Sequence, residues 1–240
     1  MTHPTDTNAA IWKSGEIAAT WAAEAARRER EHGPRWQFMA ALLPFGKQDE
    51  FTFLDLGAGT GNASRAVLSR FPRSTAILAD YSRELMSAGE REMHPFADRY
   101  RYVEFDLTAG QWPQAIPAAA DAVLTSLCVH HLTDERKQGL FAEVLRRLVP
   151  GGWYVNYDPV RSDDPVVAGA WQRVADDGDP DAAGKRAHRT PAEQARHENH
   201  VRYMIPLDQQ LGYLRSAGFQ GVDVYWRRLE YVIYAGCRPR

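Results

Sequence analysis

From Phe51 onward the chain alternates short apolar runs with stretches whose apolar residues recur every three or four positions. The runs Phe51–Leu56, Thr75–Asp80, Tyr100–Phe105, Asp121–Leu127 and Trp153–Tyr157 predict strands. The periodic stretches Asn62–Phe71, Ser82–Met93 and Asp134–Leu148 predict helices between them, with Ser82 as a cap whose hydroxyl satisfies a free helix amide. Pro150-Gly151-Gly152 is expected to close the third of these helices ahead of the fifth strand. Strands separated by helices imply a parallel sheet covered on both faces, hence an α/β fold.

The rhythm changes at both ends. From Thr7 to Leu43 the pattern is helical, carried by Ile11, Trp12, Ile17, Trp21, Trp36, Met39, Leu42 and Leu43. Gly33-Pro34 punctuates it and predicts two helices rather than one. Residues 160–200 are polar and partly helical, an insertion before a last helix over Leu207–Ala217 that Gly218 ends. Val222–Trp226 and Tyr231–Cys237 are only a few residues apart and should pair as an antiparallel hairpin. With the five earlier strands this makes a seven-stranded, mostly parallel sheet.

Composition narrows the function classes. With 240 residues, 44% hydrophobic and 25% charged, the chain is an ordinary globular one. A net charge of −2 offers no general attraction for a phosphate backbone or an anionic membrane, so nucleic acid is a disfavoured partner. No apolar run approaches the roughly 18 residues of a membrane span, and the N-terminus shows no leader pattern, so a cytoplasmic protein is expected. Cys128 and Cys237 have no metal-ligand spacing, and a buried reduced thiol is the reading for Cys128. The acidic run Asp176–Asp181 fails as a calcium loop, because the positions that need glycine and glutamate hold Ala182 and His188; no metal is expected.

The densest chemistry lies in FLDLGAGTGN, residues Phe53–Asn62. Gly57, Gly59 and Gly61, interleaved with Ala58 and Thr60, allow a sharp strand-to-helix turn that a ligand can approach closely. A dinucleotide fingerprint would need glycine where Asn62 stands, and no P-loop lysine is present. Asp55, two places before the first glycine, suits a cationic amine better than a pyrophosphate. Asp80 ends the second strand, where a carboxylate can accept from both hydroxyls of a ribose. Tyr81 is placed to lie on a purine face and Asp106 to accept from an adenine amino group.

With these residues in order, the chain resembles the class I S-adenosylmethionine-dependent methyltransferases, specifically the small bacterial type 11 and type 12 proteins. FLDLGAGTGN looks like the family's first motif, ILADYS its second, VEFDLT its third and DAVLTSLCVHHL its fourth. RLVPGGWYV and the tail LRSAGFQGVDVYWRRLEYVIYAGCRP are similar to the family's later segments. The resemblance implies a Rossmann-like single domain. It would consist of a helical cover over 1–46, a cofactor-binding core over 47–158, a lid-like insertion over 159–205 and a C-terminal helix and hairpin over 206–240.

It also implies S-adenosylmethionine as cofactor and S-adenosylhomocysteine as product. Asp55 would hold the methionyl ammonium, and Gly57, Ala58, Gly59, Gly61 and Asn62 would form the loop around it. Asp80 and Tyr81 would take the ribose and adenine, Asp106 and Leu107 the adenine edge, and Ser126 and Leu127 the sulfonium. The fourth motif lacks the signature of amino-group nucleic-acid methyltransferases, so the expected acceptor is a small molecule methylated on oxygen, nitrogen or carbon.

In-line methyl transfer asks mainly for alignment, and for a base only where the acceptor must lose a proton. His130, His131 and Tyr157 are the candidates for catalysis, although HHL can equally brace its loop. Trp12, Trp36, Asp158, His200 and Tyr203 are candidates for an acceptor pocket, against core packing for the aromatics; Arg35 is a weaker one. Two other functions stay open: a carboxy-S-adenosylmethionine synthase of tRNA modification, which would need a cation for the added carboxylate, and a non-catalytic cofactor-binding regulator. A monomer or homodimer is expected.

Overall fold

The computed structural model describes residues 25–240 apart from 180, 182, 183, 185 and 186. The helices are α1 (Ala25–Leu42), α2 (Asn62–Arg70), α3 (Arg83–Met93), α4 (Asp134–Arg147), α5 (Pro165–Gly178), α6 (Pro191–Val201) and α7 (Leu207–Ala217). The strands are β1 (Thr52–Leu56), β2 (Thr75–Asp80), β3 (Tyr100–Glu104), β4 (Ala120–Ser126), β5 (Leu148–Pro159), β6 (Gln220–Arg228) and β7 (Tyr231–Cys237). They form one sheet in the order β3-β2-β1-β4-β5-β7-β6. The pairs among β1 to β5 are parallel, and β7 runs antiparallel between β5 and β6.

Alternation along the strands sorts the core into two layers. Leu54, Leu56, Val123, Tyr154, Val232 and Tyr234 pack with Leu140, Phe141 and Val144 of α4 and Leu211 and Leu214 of α7. Phe53, Leu78, Leu124, Val155 and Ile233 pack on the other face with Met39 of α1 and Val67 of α2. The central strands β1, β2, β4 and the later part of β5 are therefore covered on both faces, while β3 at the edge is largely open. The first layer also carries a buried polar chain. Thr125 Oγ1 lies 2.6 Å from both Tyr154 OH and Asn156 Oδ1, and Asn156 Nδ2 donates to Tyr234 OH.

Two expected boundaries are corrected. The helix over Ala25–Leu42 runs through Gly33-Pro34 without a break. An internal proline forfeits one helix hydrogen bond and costs about 3 kcal/mol. Burial of Trp36, Met39, Ala40 and Leu43 just beyond it offsets that cost. The expected helix residues before Ala25, Ile11, Trp12, Ile17 and Trp21 among them, lie outside the described residues.

The second correction concerns Pro150-Gly151-Gly152, which sits inside β5 rather than ahead of it. There the register jumps from Ala120 opposite Leu148 to Ala122 opposite Trp153. Gly151 takes φ 81° and donates its N–H to Arg238 O, so the segment is an irregularity pinned to the chain's end. The remaining boundaries agree within two residues, and Ser82 accepts from the Leu85 amide as the cap of α3.

Candidate active site

The strand order reverses between β1 and β4, so the loops after β1 and β4 leave the sheet in opposite directions and open a crevice at its carboxyl edge. The crevice is a cavity of about 310 Å³. Asp55, Gly57, Ala58, Gly59, Asn62, Asp80, Tyr81, Asp106, Leu107, Ser126 and Leu127 line it, all drawn from the expected cofactor set. Trp36, His131 and Tyr203 border the same space.

The glycine loop is held from both sides. Gly57 and Ala58 donate their N–H groups to Ala79 O at 2.8 and 3.1 Å, and Gly59 N donates to Asp80 Oδ2 at 2.7 Å. Ser82 N donates to Asp80 Oδ1 at 2.8 Å, so this carboxylate ties the loops after β1 and β2 together. Gly57 takes φ 70°, and a Cβ there would meet Cys128 Sγ at 2.2 Å. Glycine is required at this point of the cleft wall.

Gly61 does something else. It takes φ 81° at the start of α2 and its Cβ would strike Met93 Sδ at 2.7 Å, so it serves helix entry and packing and lies outside the cleft lining. The loop after β4 is also under strain. Leu127 adopts φ 53° and donates its N–H to Tyr157 O. A left-handed non-glycine residue costs roughly 1–3 kcal/mol and persists only where the surroundings impose it.

Asp55 is buried on the face of β1 that meets α2. Its Oδ2 accepts from Ser64 Oγ at 2.6 Å, while Oδ1 has no hydrogen-bond partner among the described residues. Burial lifts its pKa from 3.8 to about 6; the Ser64 bonds oppose the rise and the Asp80 charge adds to it. Burial likewise raises Asp80 against the pull of the Ser82 and Gly59 amides. Asp106 Oδ1 accepts from both the amide and the hydroxyl of Thr108. The Cys128 thiol is pushed far up by burial and is held neutral in the cleft wall.

The remaining candidates divide. His131 lines the cleft, whereas His130 lies behind it with its backbone N–H and Nδ1 each 2.7 Å from an oxygen of Asp158. His130 Nε2 lies 3.1 Å from His200 Nδ1. Burial holds both His130 and His131 well below the usual imidazole range, so both are neutral. Asp158 and His200 thus join a buried cluster and not the cleft lining. Tyr157 stands on the face of the sheet toward α1, with its hydroxyl 2.9 Å from His32 Nδ1 and its ring against Tyr231 and Trp226. Arg35 lies over the Trp226 ring, and Trp12 is outside the described residues.

Sequence reading gave no role to Leu85, Phe105, Thr133 and Arg136, which also line the cleft. Of these only Thr133 carried a signal, as the cap that opens α4. Arg136 is the one arginine or lysine among the described lining residues. Its guanidinium forks onto Glu143 at 2.9 and 2.7 Å, which neutralises it.

Residues 54–154 match the family described as a methyltransferase domain. A trans-aconitate 2-methyltransferase from Acidovorax sp. (strain JS42) is 32% identical over 112 residues, covering 47% of this chain and 40% of that protein. Human N-acetylserotonin methyltransferase in complex with S-adenosylmethionine is similar with a TM-score of 0.64 at 15% identity, over 96% of this chain and 58% of that one. An O-methyltransferase family 2 protein from Planctomyces limnophilus, in complex with apigenin, gives a TM-score of 0.66 at 18% identity, over 93% and 61%. At such identities the structures speak for the fold. The chain spans less than half the length of the trans-aconitate methyltransferases it matches.

Proposed function

We propose that this chain, which carries a class I methyltransferase domain of Rossmann-like fold, transfers a methyl group from S-adenosylmethionine to a small-molecule acceptor. The observation that carries the reading is Asp55 Oδ1, a buried carboxylate oxygen at the mouth of the glycine loop that has no hydrogen-bond partner among the described residues. A buried anion of this kind is costly unless a cation or donor meets it. The methionyl ammonium supplies both, and the residues present fit the cofactor.

On this reading Asp55 takes the ammonium and the bare backbone at Gly57 and Gly59 admits the methionyl chain. Asp80 accepts from the ribose hydroxyls while its existing amide bonds keep it aimed at them. Tyr81 lies by the adenine, Asp106 and Leu107 by its edge, and Ser126 and Leu127 by the sulfur. The cofactor brings a carbon already activated by positive sulfur. The protein's part is to hold the acceptor in line and keep water out, an effect that can reach several kcal/mol. His131, neutral at the cleft wall, is the residue best placed to accept a proton from an acceptor that must lose one.

The acceptor end is bordered by Trp36, Leu127, Leu132 and Tyr203, and Arg136, the one arginine or lysine among the described lining residues, is already paired. An uncharged, partly aromatic acceptor suits these walls. The same pairing disfavours a carboxylated cofactor, which would need a free cation. Calorimetry with S-adenosylmethionine, followed by a screen of acceptors for S-adenosylhomocysteine release, tests the proposal. Binding that is lost in Asp80→Ala supports it; no binding by the intact protein overturns it.

A further inference from the structure

His130, His131 and His200 each bring a ring nitrogen into one cluster, with the three ligand atoms within 4.8 Å of one another. We infer that these histidines form a binding site for one divalent transition-metal ion of the zinc class, beside the acceptor end of the cleft. Apart from His131, named above as a proton acceptor, the methyl-transfer reading does not use this cluster.

Spacing comes first. Two imidazole nitrogens at about 2.0–2.1 Å from one tetrahedral ion lie roughly 3.3 Å apart. His130 Nε2 and His200 Nδ1 are 3.1 Å apart already. Without an ion this contact is a hydrogen bond whose direction follows the ring tautomers, with His200 donating when His130 carries its proton on Nδ1. Shifting the His200 proton to its other ring nitrogen leaves two lone pairs facing one point. His131, whose ring centroid lies 3.9 Å from that of His130, supplies the third.

Support behind the ligands comes second. Metal-bound histidines characteristically donate their far N–H to a carboxylate, which fixes the tautomer and the ring plane. With its proton on Nδ1, His130 is held in this way by ionised Asp158, whose Oδ1 lies 2.7 Å from Nδ1 and whose Oδ2 accepts from the backbone amide at 2.7 Å while fully buried. The tautomer so imposed leaves Nε2 as the lone-pair atom, and Nε2 is the atom that faces His200. The scaffold is rigid on one side: His130 and His131 lie in the short 3₁₀ turn Val129–His131, and Asp158 is in β5. His200 comes from α6, which packs on that turn.

Ligand type comes third. Three imidazoles without a coordinating carboxylate select zinc, cobalt, nickel, copper or iron over magnesium and calcium, which take oxygen. Three protein ligands leave a tetrahedral ion one open position. Since His131 also lines the cleft, the ligand class for that position is a hydroxyl of the acceptor, whose ionisation a bound divalent ion favours. This last role rests on the methyl-transfer reading; the metal site itself does not.

The test uses the full chain stripped with a chelator and titrated with Co²⁺, read by visible absorption and displaced by Zn²⁺. One equivalent should bind with the intense bands of a tetrahedral nitrogen set. His200→Ala should abolish the bands, and Asp158→Asn should weaken binding about 10- to 100-fold. Circular dichroism identifies any variant that fails to fold, in which case His131→Gln carries the same test. Absence of binding at about 0.1 mM Co²⁺ or Zn²⁺, far weaker than structural zinc sites bind, overturns the inference. So do unchanged bands in folded His200→Ala or His131→Gln. Calorimetry with S-adenosylmethionine on the same samples keeps the readings apart. Cobalt binding without cofactor binding retains the metal site and removes the methyl-transfer reading, and the reverse does the opposite.

Discussion

Trp36 Nε1 donates to Ser126 Oγ across 2.8 Å, joining α1 to the last residue of β4. The indole is buried and forms part of the cleft wall. Through this bond the helix ahead of the first strand positions the end of the fourth, where the reacting sulfur is proposed to sit.

Trp36→Phe keeps the ring and removes the donor. It should cost about 0.5–1.5 kcal/mol of stability, the usual worth of one such bond. On the proposed function it should raise the acceptor's KM more than the Kd of S-adenosylmethionine. Urea unfolding and steady-state kinetics check the two parts; an unchanged KM would free Trp36 of any role at the acceptor.

Gly57→Ala forces a Cβ to within 2.2 Å of Cys128 Sγ at a residue with φ 70°. Both the contact and the backbone conformation oppose it, so a loss of about 2 kcal/mol or more is expected. Gly110→Ala provides the control. It too has a positive φ, 68°, but open space around it, so its loss should be the smaller by the contact's share. Chemical denaturation of both variants measures the difference.

Asp55 gives opposite pH trends to the free and the liganded protein. Its pKa is about 6 when folded against 3.8 ordinarily, so the folded state holds this proton more tightly than the unfolded chain. The contribution is intact below pH 3.8 and is lost as pH rises toward 6, by about 3 kcal/mol in all as an order of magnitude. Asp55→Asn should remove this segment of the stability curve. Affinity for S-adenosylmethionine should instead rise between about pH 5 and 7, because only the carboxylate attracts the ammonium. Thermal melts and calorimetry across this range test both trends.

Asp80→Asn puts an amide where a carboxylate now accepts from Gly59 N and Ser82 N. A charge-assisted bond is about twice as strong as a neutral one. Loosening of the glycine loop together with the lost ribose acceptor should weaken cofactor binding at least tenfold, or about 1.4 kcal/mol. Equilibrium binding decides it, and wild-type affinity would exclude Asp80 from the cofactor site.

Much of this fold was legible along the chain because its signals are local. Short apolar runs marked β1 to β4 within one residue at each end, and the cap at Ser82 marked the start of α3. The glycine loop, Asp55, Asp80 and Asp106 stood at strand ends, and the ends of parallel strands share one edge of the sheet. Fold class and the cleft followed from that alone.

What needed the tertiary structure depends on partners distant in sequence. Gly33-Pro34 reads as a break, yet the helix continues because its next turns are buried against α2 and the sheet. Gly61 reads as ligand-binding loop, yet Met93 and Leu78 decide its role. His130, Asp158 and His200 come from a turn, a strand and a helix up to 70 residues apart, and no periodicity relates them. Sequence pattern records which side chains are buried, because burial is enforced residue by residue. Which buried groups meet is set by strand order and register, and these exist only once the sheet has closed.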